Sequence, residues 1–259
     1  MSVIRGDCPV NIVVSPDKEQ TAIAAAKFIE QSAMAAIKER GQFSLAVSGG
    51  STPRRMLELL SESELIDWSN VHLFQVDERV APDGHSDRNA TMLQETLLRD
   101  GTRSAGLLKQ VWLMPVNAAD PVAEYQSTLE SVCKSPPTID LIQLGLGDDG
   151  HTASLVPGDQ VCEITDTDIS MTSEYKGRRR LTMTRPILER GRAQLWLIAG
   201  ENKQDAMKTF VSGEKSIPAN LFDHNNATVM CDQAACYEGF TTNAPSPRGE
   251  GRGEGVNPS

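Results

Sequence analysis

The sequence alternates short apolar runs with helical patterns along most of its length. Runs that are apolar throughout, or alternate with a period of two, are bounded by turn residues and predict seven strands, at 10–14, 43–47, 71–76, 112–116, 139–144, 194–199 and 227–231. Helical patterns lie between them at 16–40, 53–60, 89–98, 121–132 and 201–211. Strands that alternate with helices form a mostly parallel sheet covered on both faces. The sequence therefore predicts an α/β fold whose ligand lies beyond the carboxyl ends of the strands.

The domain is predicted to span residues 1–240 as a single catalytic unit. Its longest helix, 16–40, is expected to have Ser15 as its cap, Pro16 at its first position and Gly41 at its end. Residues 241–259 are rich in glycine, proline and charge and repeat R-G-E-G once. We interpret them as a disordered tail without a catalytic part.

Charge and composition exclude several classes of function. The formal net charge of −10 argues against a nucleic-acid partner, which normally requires a basic stripe. No window approaches the roughly 18 apolar residues that cross a bilayer, and the N-terminus lacks a secretion signal, so a cytoplasmic location without membrane contact is expected. The five cysteines and four histidines form no C-x-x-C or H-x-x-x-H pair. We expect no metal, no cofactor and no obligate protein partner.

The segment that follows the strand 43–47 is a candidate phosphate site. It reads S-G-G-S-T-P, and its members are Ser48, Gly49, Gly50, Ser51, Thr52 and Pro53. Paired glycines permit positive φ, so several backbone N–H groups and a helix N-terminus can converge on one anion. Thr52 is expected to cap the helix, with Pro53 in its first position. The lysine of a Walker loop is missing, which favours a small phosphate ester over ATP, and a plain tight turn remains the alternative.

A second candidate loop begins with Asp77-Glu78-Arg79 at the end of the strand 71–76. Arg79 is suited to bidentate hydrogen bonds with phosphate, and the two carboxylates could orient it or bind sugar hydroxyls. A surface cluster of salt bridges is the alternative.

The loop 145–158 reads G-L-G-D-D-G-H-T-A-S-L-V-P-G and follows the strand 139–144. It satisfies G-x-G-x-x-G, so dinucleotide binding is an alternative, although Pro157 arrives too early for the usual helix and the paired aspartates would repel a pyrophosphate. We favour His151 as a general base and acid whose ring is oriented by Asp149. His72 and His224 are interpreted as structural, and His85 is left open.

Taken in order, these motifs resemble those of the 6-phosphogluconolactonases. The matching pieces are S-G-G-S-T-P from Ser48, D-E-R from Asp77 with Asn89 downstream, the glycine-rich loop from Gly145, R-L-T-M-T from Arg180 and G-E-N-K from Gly200. The resemblance implies a Rossmann-like sheet shared with glucosamine-6-phosphate deaminases and ribose-5-phosphate isomerases, without a dinucleotide. It also implies a phosphorylated sugar lactone as the small-molecule partner, with a phosphate site that includes Arg79, Lys203 and Arg180. Asp77 is expected to shape the sugar site. The resemblance also implies that Asn89 is a substrate-binding residue.

Glucosamine-6-phosphate deaminases are the main competing interpretation. They resemble this chain in G-G-S-T-P and D-G-H, but they carry a glutamate that assists the histidine where this chain has Val156. Lactonases often have serine where this chain has Arg88, and that arginine is expected either to alter sugar contacts or to add phosphate affinity. A covalent serine mechanism lacks its G-x-S-x-G elbow. A non-catalytic phosphosugar sensor would not require the histidine.

Overall fold

The computed structural model describes residues 2–4, 10–224 and 226–240, the first three as backbone only. Its strands are β1 Ser2–Ile4, β2 Asn11–Ser15, β3 Phe43–Val47, β4 Val71–Gln75, β5 Asp77–Arg79, β6 Gln110–Trp112, β7 Leu141–Gly145, β8 Ile169–Met171, β9 Arg180–Met183, β10 Gln194–Ile198 and β11 Ala227–Asp232. Its α-helices are α1 Lys18–Arg40, α2 Ser51–Ser61, α3 Asn89–Glu95, α4 Arg103–Leu107, α5 Pro121–Cys133, α6 Arg185–Arg190 and α7 Gln204–Ser212. Short 3₁₀ turns lie at Trp68–Asn70, Gln160–Glu163, Glu201–Lys203, Pro218–Asn220 and Gln233–Ala235. The tail predicted at 241–259 lies outside the described residues.

The main sheet has eight strands in the order β1-β2-β11-β10-β7-β3-β4-β6. All neighbouring pairs are parallel except β1 with β2. From β3 the chain proceeds through β4 to β6, whereas from β7 it proceeds in the opposite direction through β10 to β11. The direction of winding therefore reverses between β3 and β7, and the crevice at such a switch point is where open α/β sheets bind ligands.

Two hydrophobic clusters cover the two faces of this sheet. One includes α1 and α2 and takes alternate strand residues such as Leu45, Leu73 and Leu195. The other includes α5 and α7 and takes their neighbours, Ala46, Phe74 and Trp196. Burial on both faces explains why these strands are apolar almost throughout. The predicted mostly parallel sheet with helices on both faces is confirmed.

A second, antiparallel sheet of three short strands, in the order β5-β9-β8, adjoins the main one. Arg79 pairs with Arg180 across β5 and β9. The two sheets are joined where Val76 follows β4, since the Met183 N–H donates to the Val76 carbonyl at 2.9 Å. This connection places β5 and β9 beside the carboxyl end of the main sheet.

The predicted start of α1 and the predicted strand 112–116 are wrong for identifiable reasons. Ser15 does not cap α1, because it still pairs with Asp232 of β11, and the Asp17 side chain accepts from the Gln20 N–H at 2.8 Å instead. The strand predicted at 112–116 ends at Trp112. The Met114 N–H donates to the side chain of Gln75 rather than to a backbone carbonyl, which ends the ladder there.

Candidate active site

A cleft of about 220 Å³ opens at the switch point between β3 and β7. Ten of the predicted site residues line it, namely Ser48, Gly49, Gly50, Ser51, Thr52, Asp77, Arg79, His151, Arg180 and Lys203. Asp149 contacts one of these side chains, and Asn89 lies behind the glycine turn. The fold therefore gathers residues from five separate stretches of the sequence into one cavity.

The turn after β3 presents the N-terminus of α2 to this cleft. Gly50 has φ 106° and precedes the helix, which begins at Ser51, so the predicted cap at Thr52 is wrong. The cap position carries no side-chain hydrogen bond, which leaves the first N–H groups of the helix available to an anion. Ser48 anchors the turn to β7, because its N–H donates to Gln143 Oε1 at 3.1 Å and its hydroxyl to the Gln143 carbonyl at 3.0 Å.

Asn89 supports the glycine turn from behind. A Cβ atom at Gly49 would lie 1.7 Å from Asn89 Oδ1, so only glycine allows this approach. Asn89 Nδ2 donates to the Asp77 carbonyl at 2.8 Å and to Asp77 Oδ1 at 3.1 Å. The buried amide thus connects the turn after β3 with the strand β5 that carries Arg79.

Three cations, Arg79, Arg180 and Lys203, line the cleft. Among the described residues, the buried Nε atoms of Arg79 and Arg180 have no hydrogen-bond partner. Burial lowers the pKa of Arg180, with Asp77 opposing that effect. Burial also lowers the pKa of Lys203, against the attraction of Asp148 and Asp149. Because desolvated cations are stabilised by a bound anion, this group favours a phosphate ligand.

Asp77 lies buried beneath these cations. Its Oδ2 atom accepts from the Ser154 hydroxyl at 2.5 Å, and the Arg180 guanidinium donates to the same hydroxyl at 3.4 Å. The carboxylate is therefore in the wall of the cleft, where it orients neighbouring groups as well as facing the ligand space.

Asp149 and His151 form a hydrogen-bonded pair at the edge of the cleft. The Asp149 Oδ1 atom lies 2.5 Å from His151 Nδ1, and its Oδ2 atom accepts from the Tyr175 hydroxyl at 2.7 Å. Partial burial opposes ionisation of Asp149, but the hydrogen bonds from Tyr175 and His151 outweigh it and lower its pKa to about 2. An ionised partner at Nδ1 favours the tautomer that leaves Nε2 unprotonated, which is the form a general base requires.

The loop after β7 is a tight turn that shapes this pair. The Gly147 N–H donates to the His151 carbonyl at 2.8 Å, and Gly150 has φ 80°. A Cβ atom at Gly147 would lie 2.0 Å from His151 Nδ1. No α-helix opens from this loop in the described chain, where the next helical segment is the 3₁₀ turn Gln160–Glu163. The geometry thus differs from a dinucleotide fingerprint, in which the glycine loop leads directly into a helix.

Glu78 and Arg88 are buried away from the cleft, contrary to the roles suggested for them from sequence. The Glu78 carboxylate accepts from the N–H groups of Asn89 and Ala90 at 2.7 and 2.8 Å, at the start of α3. Arg88 pairs with it at 3.1 Å and donates to the Ala81 carbonyl at 2.7 Å. Both side chains stabilise the loop and helix that follow β5.

The remaining histidines lie outside the cleft. His224 is half-buried against three aromatic rings, and desolvation lowers its pKa to about 4. His72 contacts Trp112 on the main sheet. His85 lies 3.2 Å from Arg178, at the base of the turn that carries Tyr175. The described part of the chain contains no cluster of three or more His, Cys, Asp or Glu side chains suited to a metal, and none of its helices is long and apolar enough to span a membrane.

Sequence reasoning missed Tyr175, Gln143 and Ser154, all of which touch the predicted site residues. The pair Lys176-Gly177 indicates a turn, but contact between Tyr175 and Asp149 spans 26 residues and leaves no local signal.

Comparisons with known proteins identify the family to which this chain belongs. The profile of the family described as glucosamine-6-phosphate isomerases/6-phosphogluconolactonase matches residues 16–231. A 6-phosphogluconolactonase of Synechocystis sp. is 37% identical over 211 residues, which cover 77% of this chain and 86% of the relative. One from Nostoc sp. is 31% identical over 200 residues, with 76% and 82% covered. The crystal structure of a 6-phosphogluconolactonase from Shewanella baltica superposes with a TM-score of 0.75 at 25% identity, covering 85% of this chain and 97% of that one. The chain therefore belongs to the glucosamine-6-phosphate isomerase/6-phosphogluconolactonase family.

Proposed function

We propose that this protein hydrolyses 6-phospho-D-glucono-1,5-lactone to 6-phosphogluconate, a step of the oxidative pentose phosphate pathway. The observation that carries the proposal is the convergence, in one small cleft, of a helix N-terminus, three cations and the Asp149–His151 pair. Relatives named 6-phosphogluconolactonase, which match most of the chain, support the choice of substrate. A cavity near 220 Å³ suits one phosphorylated sugar better than a dinucleotide.

The substrate phosphate is assigned to the turn 49–52 and the cations that face it. The N–H groups at the start of α2 supply directed donors, and the helix dipole favours the negative charge. Arg79, Arg180 and Lys203 supply the compensating positive charge. The overall acidity of the chain does not oppose this, since a few aimed cations govern the local potential.

His151 is assigned the proton transfers. Its Nε2 atom takes a proton from a water molecule as that water attacks C1 of the lactone, and a tetrahedral intermediate forms. When the intermediate collapses, the bond from C1 to the ring oxygen breaks and the imidazolium returns the proton to that oxygen. Asp149 stabilises the transient imidazolium, and no metal is required for this sequence.

Ser48 and Ser154 are poorly placed for covalent catalysis. The Ser48 hydroxyl donates to the Gln143 carbonyl, and the Ser154 hydroxyl donates to Asp77. Neither has a histidine as its hydrogen-bond partner, so neither is activated as a nucleophile. Val156, where the deaminases have a glutamate, is 3% exposed and cannot transfer a proton. Hydrolysis by activated water is therefore favoured over both the acyl-enzyme and the deaminase.

A pH-stat assay tests the proposed function. Purified protein should accelerate alkali uptake during hydrolysis of freshly prepared 6-phosphogluconolactone above the spontaneous rate, with the same rate in EDTA. Ammonia release from glucosamine 6-phosphate is measured on the same preparation. Absence of lactone hydrolysis together with ammonia release would replace the proposal with a deaminase, and phosphosugar binding without either reaction would indicate a sensor.

Lys203→Ala should raise KM by about 10–100-fold with kcat within a few-fold of the wild type, the loss expected for a hydrogen bond to a charged group. The dissociation constant of 6-phosphogluconate should rise in parallel. Lys208→Ala, which removes an exposed charge from α7, is the matched control. A lower kcat with an unchanged KM would contradict the phosphate-binding role of Lys203.

A further inference from the structure

Tyr175 occupies a position at the site that neither the motifs nor the proposed proton transfers use. It lies at the start of a tight hairpin, in which the Tyr175 N–H donates to the Arg178 carbonyl at 2.9 Å and the Arg178 N–H returns a bond at 3.3 Å. The two central residues, Lys176 and Gly177, have φ 51° and 76°. Positive φ at both central positions is typical of a type I′ turn, which holds its flanking residues in a defined register.

The base of this hairpin is fixed to the loop that follows β5. Arg178 Nε donates to Asp87 Oδ2 at 3.0 Å, and its terminal nitrogen lies 3.2 Å from His85 Nε2. Arg79 in turn donates to the Asp87 carbonyl at 2.8 Å. The hairpin is therefore held against the phosphate-binding side of the cleft by side-chain contacts rather than by strand pairing alone.

From this support the Tyr175 side chain reaches three groups of the site. Its hydroxyl donates to Asp149 Oδ2 at 2.7 Å, on the oxygen that His151 Nδ1 does not use. Its ring meets the His151 ring edge to face at 5.7 Å, and the Arg180 guanidinium carbon lies 5.0 Å from the ring centroid. Burial and the Asp149 hydrogen bond raise the pKa of Tyr175, so the phenol stays protonated and remains a donor.

We propose that Tyr175 is a positioning residue that fixes the Asp149 carboxylate, and through it the tautomer and orientation of the His151 ring. A carboxylate held through only one oxygen can rotate about its side-chain bonds, whereas donors at both oxygens hold its plane. Among the described residues, the other hydrogen bond to Asp149 comes from the His151 N–H at 3.2 Å, which contacts the same oxygen as the ring. Tyr175 is thus the contact that holds the second oxygen.

Only the expected change in kcat rests on the proposed function, because it is measured with the lactone as substrate. Tyr175→Phe keeps the ring contacts with His151 and Arg180 and removes the hydroxyl alone. Its kcat for the lactone should fall about tenfold, in the range typical when an outer hydrogen-bond partner is lost, and KM should stay near the wild-type value. Ser173→Ala, which removes an exposed hydroxyl from the same segment, is the control.

A double-mutant cycle separates positioning from a general structural effect. In an Asp149→Asn background, Tyr175→Phe should have almost no further effect on kcat, because its route to His151 has been removed. Equal losses in both backgrounds would overturn the proposal, as would a Tyr175→Phe variant with wild-type kcat.

A spectroscopic measurement distinguishes failure of this inference from failure of the proposed function. Imidazole ¹⁵N shifts of His151 in the full chain should show mainly the Nδ1–H tautomer, and Tyr175→Phe should increase the Nε2–H share. An unchanged tautomer ratio would overturn the inference even if the protein hydrolyses the lactone. An inactive wild-type protein would refute the proposed function while the tautomer ratio still decides the role of Tyr175.

Discussion

His151→Ala should lower kcat for 6-phosphogluconolactone by about 10²–10⁴-fold, the usual worth of general acid–base catalysis, with KM changed by no more than a few-fold. The reason is geometric. The His151 ring lies at the cleft with the Asp149 carboxylate on its Nδ1 atom, whereas the three cations that also line the cleft are assigned to the phosphate. Initial rates in a pH-stat, corrected for spontaneous hydrolysis, give both constants.

His72→Ala is the matched control for this substitution, since His72 lies on the main sheet outside the cleft. It should retain the wild-type kcat. Thermal unfolding of both variants separates a catalytic loss from a folding defect. A His151→Ala protein that is folded and retains its turnover would show that another group activates the water.

Gly147→Ala should also lower kcat/KM, by about 10²-fold, although it adds only one methyl group. A Cβ atom at this position would lie 2.0 Å from His151 Nδ1 and 2.6 Å from Asp149 Oδ1, so the hydrogen-bonded pair must shift to admit it. Displacement of a catalytic group by about 1 Å commonly has an effect of this size. Steady-state kinetics and His151 tautomer measurements should change together.

Gly106→Ala is the control for this second substitution. A Cβ atom at Gly106 meets no atom within 4 Å, and the residue lies in α4, where alanine has the higher helix propensity. Activity should be unchanged and stability equal or slightly higher. If Gly147→Ala were as active as Gly106→Ala, the described arrangement of Asp149 and His151 would not be the one used in turnover.

The main sheet could be predicted because its strands are buried on both faces. Such strands are apolar almost throughout, and the helices between them have clear ends, as Gly41 shows at the end of α1. The three-stranded sheet was missed. Its strands contain three or four residues each and include charged members such as Asp77 and Arg180, so neither periodicity nor composition distinguishes them from loops.

The candidate site also contains residues that could be predicted from the sequence and residues that could not. Motifs that follow strands of the main sheet, such as Gly49-Gly50 and Asp149 to His151, were assigned to the carboxyl edge because parallel strands end there together. The sequence could not predict that Asp77 lines the cleft while Glu78 points away from it. Alternation along a short strand decides which of the two carboxylates faces the cleft. Tyr175 was beyond prediction because its role depends on a contact between two loops.

The central claim is that the turn after β3 and its cations hold a sugar phosphate at the distance that brings C1 to His151. A crystal structure with bound 6-phosphogluconate tests it most directly. We expect the phosphate on the N–H groups of residues 50–52, with Arg79, Arg180 and Lys203 around it, and the C1 carboxylate within hydrogen-bond reach of His151 Nε2, directly or through one water molecule. A phosphate bound elsewhere, or a C1 atom beyond that reach, would contradict the account.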